Sequence, residues 1–259
     1  MRILVTNDDG ILSGGLWALA KELKRIASVT IVAPDREQSA IGTAVTLRQS
    51  LKVQKVTPLV PGIETYAVEG TPSDSVILAL GKLINDRVDL VVSGINRGMN
   101  LGEDVHISGT VGAALQGYLR GCPALAVSAH YGEDERPELA ARIAARLAGR
   151  VLAEPRLNRA FLNVNLPHAD PAALNGVTIT KLASETHVNT VEEGRYGWHK
   201  FYWLVRQRSG NGLEPGTDVS AVEQGCVSIT PLSINGNRKP PARALDRLCT
   251  EVSRELTGA

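Results

Sequence analysis

Three short apolar runs in this 259-residue chain each end in a cluster of side chains able to do chemistry. Ile3-Leu4-Val5 leads into Asn7-Asp8-Asp9-Gly10. Val29-Thr30-Ile31-Val32-Ala33 is stopped by Pro34 and gives way to Asp35-Arg36-Glu37-Gln38-Ser39. Val88-Asp89-Leu90-Val91-Val92 leads to Ser93-Gly94-Ile95-Asn96-Arg97-Gly98-Met99-Asn100. Neighbouring carboxylates repel at short range, so the Asp8-Asp9 pair calls for a counter-charge. The donors in the three clusters are carboxylate, hydroxyl and amide oxygens, with no thiolate and no histidine close by. That set suits a hard cation, Mg²⁺ or Mn²⁺ with Ca²⁺ admissible, and argues against zinc. The Asn7–Gly10 segment equally suits an ordinary solvated turn, in which Asn and Asp bond to the backbone.

Ser108-Gly109-Thr110 opens a helical pattern. Free N–H groups, the positive end of the helix dipole and two hydroxyls would make it an anion seat. It also reads as a plain serine N-cap followed by small residues for close packing. Gly42-Thr43 carries the same double reading. The Asn96–Gly102 loop interleaves Asn with Gly, as left-handed backbone angles demand, and it also offers an amide ligand. His106 sits in the loop before Ser108. The other histidines, His130, His168, His187 and His199, form no spaced ligand pair.

These clusters need a frame. The buried strands alternate with segments of helical spacing, such as Leu16, Leu19, Ala20 and Leu23, or Leu139, Ile143 and Leu147. A strand–helix–strand order implies right-handed crossovers and a parallel sheet. Ligands then bind beyond the carboxyl ends of the strands, where all three clusters lie. Thr71-Pro72-Ser73-Asp74 is a helix start, with a capping hydroxyl, a first-turn proline and an acid three residues after the cap. Thr43–Leu47, Leu51–Val56 and Ile63–Val68 read as β-structure beside the sheet. Further on, Val177–Lys181 and Lys200–Arg206 read as strands separated by a polar stretch. Thr217-Asp218-Val219 caps a short helix, Cys226–Pro231 is a last strand, and a terminal helix covers about 242–256. The expected architecture is one α/β domain over 1–259, a doubly wound, mostly parallel sheet with a β-rich arm at about 175–215. Tyr196, Trp198, Phe201, Tyr202 and Trp203 crowd into that arm, which reads as a packing or subunit contact, with stacking of bases as the alternative.

Composition narrows the classes. Lys+Arg is 28 against 27 Asp+Glu, a formal net charge of +1, so no global field favours a nucleic-acid polymer or a membrane surface. Charged residues at 21% and hydrophobic residues at 43% exclude wholesale disorder. Cys122, Cys226 and Cys249 are widely spaced, which argues against a disulfide framework or structural zinc. No apolar run approaches the ~18 residues of a membrane span, and no signal peptide is legible, so a cytoplasmic protein is expected. A GxxxxGK[ST] loop, a GxGxxG after the first strand and a GxSxG elbow are all absent.

Taken together, Thr6–Gly10, Ala33–Ser39, Gly70–Asp74, Ser93–Asn100, Ser108–Ala114, Asn163-Val164-Asn165-Leu166-Pro167 and Thr217-Asp218 resemble the SurE family in order and spacing over about residues 1–232. The resemblance implies a metal-dependent nucleotidase acting on nucleoside monophosphates, with other phosphoesters and polyphosphate as further substrates. By motif it places metal ligands at Asp8, Asp9, Ser39 and Asn96. It also implies a Rossmann-like α/β domain whose arm is an extended β-hairpin exchanged between subunits of a homodimer or homotetramer. His106 stands where many members have an aromatic residue. On this reading the protein is a phosphomonoesterase holding one divalent ion, with Asp8 or Asp9 as acid or base. Asn7, Gly42, Thr43, Asn96, Ser108, Gly109 and Thr110 would contact the phosphate or substrate. Alternatives are a broad acid phosphatase or exopolyphosphatase, a transferase using a metal-bound diphosphate, and a catalytically silent nucleotide-binding module.

Overall fold

The computed structural model describes residues 1–132, 137–167, 174–184, 188–206, 214–234 and 240–257. His168 and His187 lie outside the described residues. In chain order the sheet and its flanking helices are β1 (Arg2–Thr6), α1 (Gly14–Leu23), β2 (Ser28–Pro34), β3 (Val53–Lys55), β4 (Glu64–Val68) and α2 (Pro72–Leu78). They continue with β5 (Leu90–Arg97), α3 (Gly109–Leu119), β6 (Ala124–Ala129), α4 (Glu138–Ala153), β7 (Phe161–Leu166) and β8 (Val177–Ile179). The rest are β9 (Val188–Tyr196), β10 (His199–Arg206), α5 (Asp218–Glu223), β11 (Val227–Pro231) and α6 (Ala242–Thr257).

Among the described residues the main sheet runs β3-β4-β2-β1-β5-β6-β7-β11-β8. Its centre, from β4 to β7, is all parallel. β3 and β11 each pair antiparallel with a neighbour. Counting the six parallel strands alone, the order is that of a doubly wound dinucleotide fold, and the winding reverses between β1 and β5. This is the mostly parallel α/β sheet expected from the sequence.

Strand alternation explains the two layers. In β1, Ile3 and Val5 point into a core with Leu16, Leu19 and Leu23 of α1 and Ile143 and Leu147 of α4. Leu4, between them, points to the opposite core with Val111, Ala113 and Ala114 of α3 and Val76 of α2. Small residues let α3 lie close to the sheet: a Cβ on Gly117 would come within 2.6 Å of Val91. The start of α2 is a full capping box, with Thr71 accepting from the Asp74 N–H and Asp74 accepting from the Thr71 N–H.

Two expectations need correction. Thr43–Leu47 forms no strand. Thr46 gives its backbone N–H (2.9 Å) and its hydroxyl (2.7 Å) to the Asp74 carboxylate, which replaces a ladder with side-chain bonds. The arm is also narrower than 175–215, because Val177–Ile179 pairs with β11 inside the main sheet. The polar stretch before Lys200 is itself a strand, β9, which among the described residues pairs antiparallel with β10 alone. Its apolar residues are sparse because neither face of this ribbon is buried. Trp198 is fully exposed at the hairpin tip, and Tyr196, Tyr202 and Trp203 are exposed beside it.

Among the described residues no helix is long and apolar enough to cross a membrane.

Candidate metal and phosphate site

The winding reversal leaves a crevice above β1 and β5, and two of the three polar clusters open into it. The third, at the end of β2, is tied to the first by backbone bonds. Gln38 N–H donates to the Asp8 carbonyl at 2.7 Å, and Ile11 N–H donates to the Pro34 carbonyl at 2.8 Å. Gly10 makes this possible: its φ is +92°, and a Cβ there would lie 2.9 Å from the Arg36 carbonyl carbon.

The first turn of α3 presses on the same point. A Cβ on Gly109 would lie 2.8 Å from the Asp8 Cβ, and one on Gly112 would lie 2.3 Å from the Gly42 carbonyl oxygen. Thr110 faces Asp8 with both its hydroxyl and its backbone N–H. Asp8 therefore sits at the positive end of the α3 dipole, where a carboxylate is favoured. Ser108 is a true N-cap, its hydroxyl accepting from the Val111 N–H at 3.1 Å. Gly42 N–H bonds to the Ile107 carbonyl at 2.8 Å, which joins the 42–43 turn to the approach of α3.

Burial sets the electrostatics. Asp8 is 3% exposed. Desolvation pushes its carboxyl up, opposed mainly by the Thr110 hydroxyl. Asp9 is pushed up to about 7 by desolvation and then by the charge of Asp8, while the Arg97 backbone and guanidinium pull it back. Among the buried oxygens without a hydrogen-bond partner are Asp9 Oδ2 and Asn7 Oδ1, with Asp35 Oδ1 and Ser93 Oγ in the other two clusters. Buried polar atoms are seldom left so, and an orphaned carboxylate oxygen beside a second carboxylate is the cradle a cation would fill.

The other expected ligands fit a hard ion in type. Asn96 donates its amide nitrogen to the Gly98 carbonyl at 2.8 Å, which makes Oδ1 the side-chain atom that could hold an ion. A bulge in β5 between Ser93 and Asn96 sets that residue's direction. Ser39 is exposed and donates to Glu37 at 2.6 Å, a bond it would exchange to reach an ion. No cluster of three or more His, Cys, Asp or Glu side chains occurs among the described residues, so amide and hydroxyl oxygens must complete any site. Asp9, Glu37 and Ser39 line an open cleft of about 1160 Å³ with Lys21, Arg97 and Tyr131. Thr43 and His106 line a separate cavity of about 870 Å³, with Val111, Leu115 and Phe161.

Arg97 lies within the Ser93–Asn100 motif without a role legible from the sequence, and nothing in the sequence marks Tyr131. Burial and Asp9 push the Tyr131 hydroxyl up to about 12. A lone tyrosine after β6 gives no sequence signal, since only the sheet order brings β6 beside β5. The Thr110–Asp8 bond was also illegible, because it joins residues 102 positions apart.

Fold and site together define a class: a doubly wound α/β protein with a carboxylate pair at its switch point and a helix N-terminus packed onto it. Residues 3–189 match the family model described as Survival protein SurE. The chain is 53% identical over 243 residues to a protein of Dehalococcoides mccartyi named 5′-nucleotidase SurE, with 93% of this chain and 92% of that one covered. A Vibrio parahaemolyticus protein of the same name is 41% identical, covering 95% and 93% of the two chains. The crystal structure of the SurE protein from Aquifex aeolicus superimposes with a TM-score of 0.78 at 36% identity, covering 90% of this chain and 93% of the other. The chain belongs to the SurE family.

Proposed function

We propose that the protein is a divalent-metal-dependent phosphohydrolase of nucleoside 5′-monophosphates. The observation that carries this reading is the orphaned Asp9 Oδ2, buried beside Asp8 at the switch point. The name 5′-nucleotidase carried by relatives at 41–53% identity supports the substrate class. Asp8, Asp9, Ser39 and Asn96 would hold the ion, with Mg²⁺ or Mn²⁺ favoured by the all-oxygen donor set. A bound divalent ion supplies Lewis acidity and offsets the charge of the phosphate ester.

The chain's own groups do the rest. Thr110 and the α3 dipole orient Asp8 and oppose the upward push of burial on its carboxyl. Asp9, held near neutrality in the metal-free chain, is suited to accept or give a proton. Backbone N–H groups of Thr43, Ser108 and Gly109 would face phosphate oxygens. The Gly42 N–H is spent on Ile107, and the amide nitrogens of Asn7 and Asn96 on Gly10 and Gly98, a bond each would have to exchange to reach the phosphate. Nucleoside 3′-monophosphates and polyphosphate are further candidate substrates, since the cleft is open and roomy. The exposed aromatics of the β9–β10 ribbon support assembly into dimers or tetramers through that arm. All three cysteines are free, which fits the reducing cytoplasm.

The test is phosphate release from a panel of 5′- and 3′-mononucleotides and polyphosphate, with Mn²⁺, with Mg²⁺ and with chelator. Chelator-sensitive hydrolysis of the 5′-monophosphates is expected. Equal rates with and without chelator would refute the metal site.

A further inference from the structure

The segment between Asn96 and Ser108 links a proposed metal ligand to the proposed phosphate seat, yet it contains little regular structure beyond a single tight turn at Gly102–His106. Its position is set by side chains from far along the chain. Asn100 is clamped on both sides of its peptide group. Its N–H donates to Asn165 Oδ1 at 2.8 Å. Its carbonyl accepts from Asn163 Nδ2 at 2.8 Å and from Asn165 Nδ2 at 3.0 Å. Its side chain donates to the Ser128 hydroxyl at 2.7 Å. Asn163 and Asn165 share one face of β7, and Ser128 stands opposite Asn165 in β6. Two residues later, Gly102 donates its N–H to Asp218 Oδ2 at 2.9 Å. The other oxygen of Asp218 accepts from Ala183 N–H and Val219 N–H, each at 2.9 Å. Asp218, Asn163 and Asn165 are fully buried.

We infer that Asp218, with the Asn163–Asn165 pair, is a positioning residue for catalysis: it fixes the 96–108 segment and so sets the distance between Asn96 and the α3 N-terminus. This rests on the function proposed above. The reason lies in connectivity. Asn96 leaves β5, and Ser108 caps the helix whose Thr110 holds Asp8. A shift of the intervening segment moves one relative to the other. A misplacement of about 1 Å at a reacting centre lowers rates by about 100-fold. A buried carboxylate with three backbone N–H donors is an effective anchor, because losing any one donor strands a polar group inside the protein.

Asp218→Asn separates this role from simple stability. The amide keeps an oxygen for Ala183 and Val219 but turns an NH₂ toward the Gly102 N–H, donor against donor. Val252→Ala, in the fully buried face of α6, serves as a control that loosens the core elsewhere. Three quantities are read on the full-length protein: hydrogen exchange of the 99–108 amides without metal, Mn²⁺ affinity by calorimetry, and kcat with a 5′-mononucleotide. In Asp218→Asn, protection at 99–108 should fall, Mn²⁺ should bind about 10-fold more weakly, and kcat should fall about 10–100-fold, while Val252→Ala keeps all three near wild type. Unchanged protection in Asp218→Asn would overturn the inference. So would lost protection with wild-type kcat and Mn²⁺ affinity, or an equal kcat loss in Val252→Ala. A wild-type protein that hydrolyses no nucleotide sinks the proposed function instead, and the exchange and Mn²⁺ readings still decide the anchoring.

Discussion

Asp9 at the end of β1 and Asp218 at the start of α5 are both drawn out of water, but their surroundings differ. Asp218 receives three backbone N–H groups on its two oxygens. Asp9 has Asp8 as its neighbour and an oxygen with no partner at all. Burial pushes both carboxyls up; at Asp218 several backbone donors oppose it, while at Asp9 a single backbone donor and the charge of Arg97 do so against the added push of Asp8. A buried acid that the fold satisfies belongs to the framework. One that the fold leaves unsatisfied calls for a partner from outside it, and on the proposed function that partner is a cation. The same contrast separates Asp74, which collects Thr46 and Thr71, from the switch-point pair.

The comparison breaks first at the carboxylates themselves. Asp8→Asn and Asp9→Asn should each cut metal-dependent kcat by about 10³-fold or more, since losing an ion's electrostatic effect costs several kcal/mol of barrier. Circular dichroism should show both variants folded. Next comes Thr110→Val, which is nearly isosteric and removes the hydroxyl from Asp8. A hydrogen bond to a charged group is worth about 1.5–3 kcal/mol, so kcat/KM should fall by about 10–100-fold, with a smaller loss of melting temperature.

A third effect sharpens the contrast through pH. The folded Asp9 carboxyl, at about 7, lies above its ordinary value of 3.8. Its stabilising contribution is therefore complete at acid pH and is lost as pH rises through 7, by an amount on the order of a few kcal/mol. Metal-free protein should lose melting temperature between pH 5 and 8, and Asp9→Asn should blunt that loss. Added Mn²⁺ should raise the melting temperature more at pH 8 than at pH 6, because it binds the ionised pair. The smallest catalytic effect belongs to the arm. Trp198→Ser should leave kcat within about 2-fold, because the residue lies fully in solvent. If the arm joins copies, light scattering should show a reduced assembled mass.

The sequence exposed what depends on local pattern. Buried strands, the Thr71 capping box and the placement of three polar clusters at strand ends all follow from periodicity and cap chemistry. What it concealed depends on long-range contact or on missing burial. β9 has no core face, so its alternation is weak and it passes as a polar stretch. The loop after Gly42 resembles a strand in composition, but a buried carboxylate on α2 takes its donors. Thr110 looked like a phosphate contact because its hydroxyl opens a helix. Only the sheet order and the close approach allowed by Gly109 turn it toward Asp8. Asn163, Asn165 and Asp218 were legible as parts of family motifs, but their shared target, the Asn100–Gly102 backbone, was not.

The central claim is that the Asp8-Asp9 pair is completed by a divalent ion that hydrolysis requires. The most direct measurement is a Mn²⁺ titration of 5′-mononucleotide hydrolysis by wild type and Asp9→Asn, each first stripped with chelator. The expected result is no wild-type turnover without metal, saturable recovery with Mn²⁺, and no recovery in Asp9→Asn at any concentration. Near-normal hydrolysis by stripped Asp9→Asn would contradict the account.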